Sequence, residues 1–341
     1  MTALLDVRDL ETRFRVRKGH VYAVNGVSFQ LRKREVLGVV GESGCGKSVT
    51  MLSLLRLLPP AARIEGGQAL FQEQDLLQIS TRELRKVRGA QIAMVFQDPL
   101  TSLNPVVRIG VQMAEPLIYH QGLSMSEAQA RCVELLSMVG VPDGESRLRD
   151  YPHQLSGGMR QRVMIATALG CQPKILIADE PTTALDVTIA AQIVALVKGL
   201  RDQIDSAIVW ITHDLSVIAG LADRVMVMYA GQVVEEAQVD DLYDDPRHPY
   251  TVKLLGALPS AGETRKRRLT SIPGSPPDLV ARPRCCPFLP RCEYAVERCR
   301  TENPTLEPAA GTSTGEVAHR IACWVDVRSH RVLPAQEERQ P

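Results

Sequence analysis

Gly41-Glu42-Ser43-Gly44-Cys45-Gly46-Lys47-Ser48 decides how this chain is read. The stretch fits G-x-x-x-x-G-K-[ST], a loop whose glycines let successive backbone N–H groups turn inward around an anion. The helix that follows adds its positive N-terminal end. Lys47 brings a charge to the β- and γ-phosphates of a nucleotide, and Ser48 offers a hydroxyl to Mg²⁺. Such a match arises by chance in about one chain in a hundred of this length, so its surroundings matter. Val36-Leu37-Gly38-Val39-Val40 before the loop is a short continuous apolar run, as in a strand buried on both faces. After the loop, apolar residues recur at helical spacing from Val49 through Leu58, until Pro59-Pro60 stops the helix. Cys45 reads as a small residue that fits the loop, although Lys47 and a helix N-terminus beside it favour a thiolate.

Working outward, Ile175-Leu176-Ile177-Ala178-Asp179-Glu180 supplies a second half of the same chemistry. Four small or apolar residues make a buried strand and deliver two carboxylates at its C-terminal end, where open α/β sheets bind ligands. Asp179 is expected to hold Mg²⁺ through water, and Glu180 to orient or deprotonate an attacking water. Leu5 to Leu10 and Phe14 to Arg17 read as half-buried strands. The stretch from Pro99 to Tyr151 is mainly helical in pattern, with a capping box at Ser124-Met125-Ser126-Glu127. Strands at Lys174 to Asp179, Ala207 to Thr212 and Asp223 to Tyr229 alternate with a helix from Thr188 to Gln203. An α/β core with a helical insertion is expected.

Composition narrows the class. The chain has 341 residues, enough for roughly two domains. Hydrophobic residues make up 45% and charged residues 23%, which excludes a collagen-like or wholly disordered chain. Lys and Arg number 40 against 39 Asp and Glu, so there is no basic excess of the kind that neutralises nucleic-acid phosphates. Met1 to Asp6 lack a basic-then-apolar leader, and no apolar run approaches the ~20 residues of a membrane span. The expectation is a cytosolic chain that meets a membrane only through a partner.

Leu155-Ser156-Gly157-Gly158-Met159, followed by Arg160-Gln161-Arg162, resembles the signature motif of ATP-binding cassette (ABC) ATPases. The family pattern continues in Gln97 after Met94-Val95-Phe96, in Ala184-Leu185-Asp186, and in His213 after Ile208 to Thr212. All stand in family order over roughly residues 4 to 260. The resemblance implies ATP and Mg²⁺ as cofactors, bound by Gly41, Ser43, Gly44, Cys45, Gly46, Lys47, Ser48 and Val49. It implies that Gln97 contacts Mg²⁺ and senses the transporter, with Ser48 and Asp179 as the other Mg²⁺ residues. It implies that Asp186 lies across a dimer interface and that His213 contacts the γ-phosphate, making Glu180, His213 and Lys47 the catalytic set. Ser156, Gly157 and Gly158 start a helical pattern, a second anion-binding N-terminus, which in this family faces the ATP of a partner subunit. Hydrolysis then requires a dimer. For adenine stacking the family uses an upstream aromatic; spacing favours Phe14, with Tyr22 the alternative, and packing on its own sheet explains either equally well.

Phe96-Gln97-Asp98-Pro99-Leu100-Thr101-Ser102-Leu103-Asn104-Pro105 is similar to the loop of dipeptide and oligopeptide importer ATPases, a group that includes nickel importers. So are Tyr151-Pro152-His153-Gln154, Arg247-His248-Pro249-Tyr250-Thr251 and Ile272-Pro273-Gly274-Ser275-Pro276-Pro277, the last resembling their D-type subunit. The implied partners are an F-type ABC ATPase, two transmembrane permeases and, indirectly, an extracytoplasmic substrate-binding protein. No nucleic-acid partner is implied. The implied place is peripheral, on the cytoplasmic face of the inner (plasma) membrane. Met159 stands where the general pattern favours Gln, as this branch commonly shows.

Five of the eight cysteines fall between Cys285 and Cys323. The spacing Cys286-x5-Cys292-x6-Cys299-x23-Cys323 lacks the C-x2–4-C knuckles of structural zinc sites. A reducing cytosol disfavours disulfides. Four irregularly spaced thiolates can hold an iron–sulfur cluster, with zinc or unmetallated thiols as alternatives. Branch members with Cys-Pro-Phe-Leu-Pro-Arg-Cys, here residues 286–292, are associated with a [4Fe–4S] centre. Cys285 is left out as a ligand, and His319 reads as a surface histidine. The four adjacent cations Arg265-Lys266-Arg267-Arg268 read as a solvated linker, with anionic-lipid contact the alternative.

The expected architecture is α/β: a RecA-like P-loop ATPase core with an antiparallel β subdomain and a helical subdomain, plus a small irregular C-terminal metal-cluster extension. The expected boundaries are 1–97 and 156–236 for the core, 98–155 for the helical signature subdomain and 237–280 for a linker. The cysteine-rich extension is expected at 281–330 and a polar tail at 331–341. The function this implies is ATP hydrolysis powering uptake of di- or oligopeptides, with nickel chelates, haem or similar solutes as alternatives. A non-transport ABC ATPase acting on nucleic acid, or a regulatory module without turnover, are the competing classes. Balanced charge and a single cassette oppose the first; Glu180 and His213 oppose the second.

Overall fold

Apolar patterning and one break in it shape the N-terminal strands. In the computed structural model, residues 3–17, 19–183, 185–258, 272–309, 318–328 and 331–332 are described. Instead of two short strands, Leu5–Val16 forms one continuous strand, β1. Leu5 and Val7 are buried, then Leu10 and Thr12. The inward register slips by one residue at Asp9, whose φ of 47° is left-handed. That irregularity is why alternation in the sequence looks interrupted. The remaining strands are β2 (Gly19–Leu31), β3 (Val36–Val40), β4 (Ala62–Phe71), β5 (Gln74–Asp75) and β6 (Ile92–Val95). They continue as β7 (Ile175–Asp179), β8 (Ala207–Thr212), β9 (Arg224–Tyr229), β10 (Gln232–Gln238), β11 (Glu307–Pro308), β12 (Arg320–Ile321), β13 (Val325–Asp326) and β14 (Arg331–Val332). β13 and β14 pair antiparallel, so the expected polar tail at 331–341 begins with a strand.

The chain divides into two compact units and passes from one to the other within β3. The first contains residues 1–6, 30–37 and 70–212; the second contains 7–29, 38–69 and 213–341. These units do not follow the boundaries expected from the sequence.

In the first unit β6, β7 and β8 are parallel, with Ile92 opposite Ile175 and Ile175 opposite Ala207. Every residue of β7 and β8 is buried, which explains their continuous apolar runs. The helix Met125–Met138 opens on the expected capping box: Ser124 accepts from the Glu127 N–H and Glu127 from the Ser124 N–H. Its buried Ala128, Cys132, Leu135 and Leu136 face the neighbouring helices Ile109–Gln121 and Gly157–Leu169.

In the second unit β10 pairs antiparallel with β9 on one side and with β12 on the other, and β11 pairs with β12. The C-terminal extension therefore adds strands to a core sheet, correcting the expectation of an irregular appendage. The supposed linker is also ordered at its start, as the helices Val239–Asp244 and Pro249–Gly256, with Leu242 and Tyr250 buried. Leu242 and Tyr250 anchor the segment as ordinary core residues do. The helix after the phosphate loop spans Lys47–Leu54 and stops before Pro59-Pro60. The cationic run at residues 265–268, the tail at 335–341 and Ala184 lie outside the described residues. Among the described residues no helix is long and apolar enough to cross a membrane.

Candidate nucleotide site

The expected site residues divide between the two units. Those of the second unit begin at the phosphate loop. All five residues of β3 are buried and deliver the chain to Gly41. A Cβ at Gly41 would run into the carbonyl of Met228 and lie 2.7 Å from Cys45 Sγ. At Gly46 the φ is 103°, and a Cβ would meet the carbonyl of Ala23. Only glycine fits either place. Gly46 caps the helix Lys47–Leu54 with no side-chain acceptor, so backbone donors at this end serve the loop rather than a cap. Lys47 is 3% exposed, and its Nζ donates to the carbonyls of Gly41 (2.8 Å) and Glu42 (3.1 Å). Its ammonium is thus held across the loop by backbone carbonyls.

Cys45 fits the loop as the small residue expected, without the thiolate tendency that Lys47 and the helix N-terminus suggested. It is 4% exposed, and burial pushes its thiol above the usual range, outweighing Lys47, whose Nζ lies 3.9 Å from the sulfur. The buried sulfur fills space beneath Gly41; it is not an activated nucleophile. Phe14 on β1 and Tyr22 on β2 are both half-buried, and Tyr22 immediately precedes Ala23, the residue that Gly46 approaches. His213 is exposed beside Asp214, which caps the helix Leu215–Ile218 by accepting from Ser216 N–H at 2.8 Å.

In the first unit, β7 ends in Asp179, and Glu180 follows it; both are buried. Glu180 takes a left-handed φ of 44°, and its N–H donates to the Ile211 carbonyl at 3.0 Å. Gln97 Nε2 donates to Glu180 Oε2 at 3.1 Å, and Thr183 Oγ1 donates to the same oxygen at 2.9 Å. The structure thereby brings together Gln97 and Glu180, two of the expected residues 83 positions apart. Ser156 caps the helix Gly157–Leu169, accepting from Met159 N–H at 3.3 Å. A Cβ at Gly158 would stand 2.7 Å from Ile189 Cγ2, so the glycine allows this helix to approach the helix Val187–Arg201. Asp186 is exposed and caps that second helix through Ile189 N–H at 3.0 Å. Val49 is half-buried on the helix after the phosphate loop.

The cysteines Cys286, Cys292, Cys299 and Cys323 lie in the second unit. Cys286 N–H donates to the Cys299 carbonyl at 3.1 Å. The thiols of Cys286 and Cys323 are pushed up to about 12, first by burial and then by the other thiols of the four. Cys292 is raised for the same first reason. Among the described residues, no group of three or more His, Cys, Asp or Glu is arranged to hold a metal ion. His319 is buried, not on the surface, and its Nε2 lies 2.7 Å from Glu235 Oε1. Glu235, fully buried, also accepts from Arg247 N–H (2.6 Å) and His248 N–H (3.0 Å), which accounts for a carboxylate inside the sheet.

Two residues near the loop stand in motifs quoted from the sequence, yet nothing there linked them to the loop. Arg291 forms an ion pair with Glu42, and Tyr250 accepts the Glu42 N–H at 2.8 Å. An arginine among cysteines and a tyrosine after a proline do not advertise a partner more than two hundred residues upstream.

Comparison with known proteins places these features. The family model described as ABC transporter matches residues 24–183. The model described as oligopeptide/dipeptide transporter, C-terminal region, matches residues 234–299. A probable peptide ABC transporter ATP-binding protein of Sinorhizobium fredii is 50% identical over 97% of this chain and 96% of its own length. The oligopeptide transport ATP-binding protein OppD of Escherichia coli is 49% identical over 91% of each chain. The dipeptide transport ATP-binding protein DppD of Bacillus subtilis is 47% identical over 98% of each. Among solved structures, the dimeric ATP-binding cassette MJ0796 in a post-hydrolysis state bound to ADP and Pi aligns with a TM-score of 0.62 at 28% identity. It covers 69% of this chain and 98% of that one.

Proposed function

The chain belongs to the oligopeptide/dipeptide branch of ABC transporter ATP-binding subunits and has their cassette fold, and from this premise we propose how its residues divide the work. It is an ATPase whose hydrolysis powers a peptide importer, working with permease subunits. The observation that carries this reading is the phosphate loop: glycines where no Cβ fits, an uncapped helix N-terminus and a buried lysine across the opening.

The loop from Gly41 to Val49 binds the phosphates, with Lys47 on the β- and γ-phosphates. Ser48, Asp179 and Gln97 serve Mg²⁺, which would neutralise developing phosphate charge. Glu180 orients or deprotonates water, and His213 reads the γ-phosphate. Phe14 stacks on adenine. Ser156, Gly157, Gly158 and Asp186 act toward the ATP of a second ATPase subunit, proposed to be of the F type. The cassette core takes in residues 1–97 and 156–236, with 98–155 as the helical signature part. Docking to the permeases is supported by a groove of about 450 Å³ between helices of the first unit, lined by Arg108, Val111, Gln129, Val133, Leu148 and Arg149. Val106 and Tyr119, 79% and 64% exposed, add apolar surface to the same helical region. The place of work is the cytoplasmic face of the inner membrane.

For the cysteine segment we propose a [4Fe–4S] centre held by Cys286, Cys292, Cys299 and Cys323. The donor chemistry fits, because the raised thiols of Cys286, Cys292 and Cys323 each have neighbouring thiols of the set among their causes, and a thiolate-bound cluster relieves that cost. The group would supply a covalent staple for a segment with little core of its own. Anaerobically purified protein should contain iron and sulfide and absorb broadly in the visible; protein without them refutes the cluster. The ATPase assignment is tested with Glu180→Gln in the assembled transporter, measuring nucleotide binding and turnover separately. Binding should persist while turnover falls; unchanged turnover refutes Glu180 as the base.

A further inference from the structure

Glu42, second residue of the phosphate loop, is gripped from outside that loop at both its backbone and its side chain. Arg291 Nη1 donates to Glu42 Oε2 at 2.6 Å and Arg291 Nη2 to Oε1 at 2.9 Å, a two-pronged pair. The guanidinium is itself held rigidly. Its Nε donates to the Pro273 carbonyl (2.9 Å), Nη2 also to the Ile272 carbonyl (3.3 Å) and Nη1 also to Tyr229 OH (3.3 Å). The Arg291 carbonyl accepts from Lys253 Nζ at 3.0 Å. Behind the pair, Tyr229, Tyr250 and Phe288 pack ring against ring, with centroids 4.7–5.4 Å apart. Tyr250 accepts the Glu42 N–H at 2.8 Å. The Arg291 side chain is 3% exposed, unlike the usual surface ion pair that solvent screens.

The loop gives this grip its purpose. Lys47 Nζ donates to the carbonyls of Gly41 and Glu42, and those bonds compete directly with phosphate. When Lys47 turns to phosphate, the first residues of the loop lose an internal tie. Glu42 then keeps its side chain and N–H in place through Arg291 and Tyr250, and its carbonyl through the Cys45 N–H at 3.3 Å. Preorganised donors bind more tightly than donors that must be ordered on binding.

We propose that Arg291 is a positioning residue for nucleotide binding, a latch by which the cysteine-bearing segment holds the phosphate loop in its ATP-binding shape through Glu42. The proposal rests on reading this loop as the ATP site. Arg291 acts on the loop through Glu42. The planar fork is essential, so lysine at 291 restores the charge but not both bonds.

The test uses the assembled transporter and MgATP. Arg291→Ala should raise the KM for ATP about tenfold, with a smaller fall in kcat. Arg291→Lys should lie between it and wild type. Glu42→Gln should reproduce the KM effect, and the double variant Glu42→Gln/Arg291→Ala should be no worse than the more affected single variant, since both break one pair. Arg300→Ala is the control in the same segment, because its pair with Glu297 is exposed, and its KM should match wild type. Should Arg291→Ala fail to fold, Glu42→Gln decides alone, since it keeps shape and removes only the charge. A KM within twofold of wild type for the Glu42 variant overturns the latch, as do additive effects in the double variant. Wild-type protein that binds no ATP would instead overturn the ATP-site reading beneath it.

Discussion

Two glutamates in this chain are held in opposite ways. Glu42 is clamped by a buried arginine through two charge-assisted bonds, with its backbone tied to a tyrosine. Glu180 is held at one oxygen by two neutral donors, Gln97 and Thr183, and its backbone by a strand neighbour. A two-pronged pair with a fixed cation holds a carboxylate in one orientation, as a scaffold should. A carboxylate bonded to an amide and a hydroxyl is held by neutral donors, each of which contributes less. Both lie beside sequence motifs, and only the tertiary structure shows how differently they are held.

The largest expected effect comes from removing the charge of Glu180, the glutamate proposed to act on water. Glu180→Gln should lower kcat by about 10²–10³-fold while ATP still binds; a change in affinity with intact turnover would exchange the roles of the two glutamates. Acid comes next, and it acts on the clamped side. His248 Nδ1 accepts Tyr250 N–H at 3.1 Å, and burial lowers its pKa to about 4. The folded value lies below the unfolded value of about 6.5, so the unfolded chain takes up a proton first. The stability this gives is present above pH 6.5 and is lost as pH falls toward 4, with a slope of up to about 1.4 kcal/mol per pH unit. Neighbouring Glu235 and His319 share the buried pocket: Glu235 accepts the His248 N–H at 3.0 Å and lies 2.7 Å from His319 Nε2. Denaturant unfolding of wild type and His248→Asn across this range checks the point; equal slopes would exclude His248 as the source.

Smaller effects sharpen the other side. Gln97→Ala should lower kcat by roughly fivefold and leave the KM for ATP within twofold, because one neutral hydrogen bond to Glu180 is removed; an equal rise in KM would show that Gln97 serves binding instead. The smallest concerns Cys45, inside the clamped loop. At pH 7.5, iodoacetamide should leave Cys45 unlabelled in the folded protein, with labelling rising as pH climbs through the thiol's elevated range. Rapid labelling at pH 7.5, read by peptide mass, would show the loop to be looser than the Arg291 clamp implies.

Legibility followed range along the chain. Glycines with demanding geometry, the capping box at Ser124, the Ser156 cap and the buried strands Val36–Val40 and Ala207–Thr212 were all readable locally. The register slip at Asp9 blurred one strand into two, because a left-handed residue shifts alternation without any change in residue type. The extension was read as an appendage because its strands are only two residues long. Such pieces carry no period: β12 becomes a strand by pairing with β10, and β11 by pairing with β12. Burial of His319 and the raised thiol of Cys45 likewise depend on neighbours absent from the local sequence.

The sequence by itself determined that a nucleotide-phosphate loop stands here, because backbone conformation and helix ends are set by residues within a few positions. It determined the two acidic residues at a buried strand end for the same reason. The tertiary structure alone decided what holds that loop. Glu42 meets Tyr250 at a separation of 208 residues and Arg291 at 249, and no local pattern encodes contacts over such spans. Apolar burial brings Tyr229, Tyr250 and Phe288 together, and that packing places the arginine where its charge finds the carboxylate.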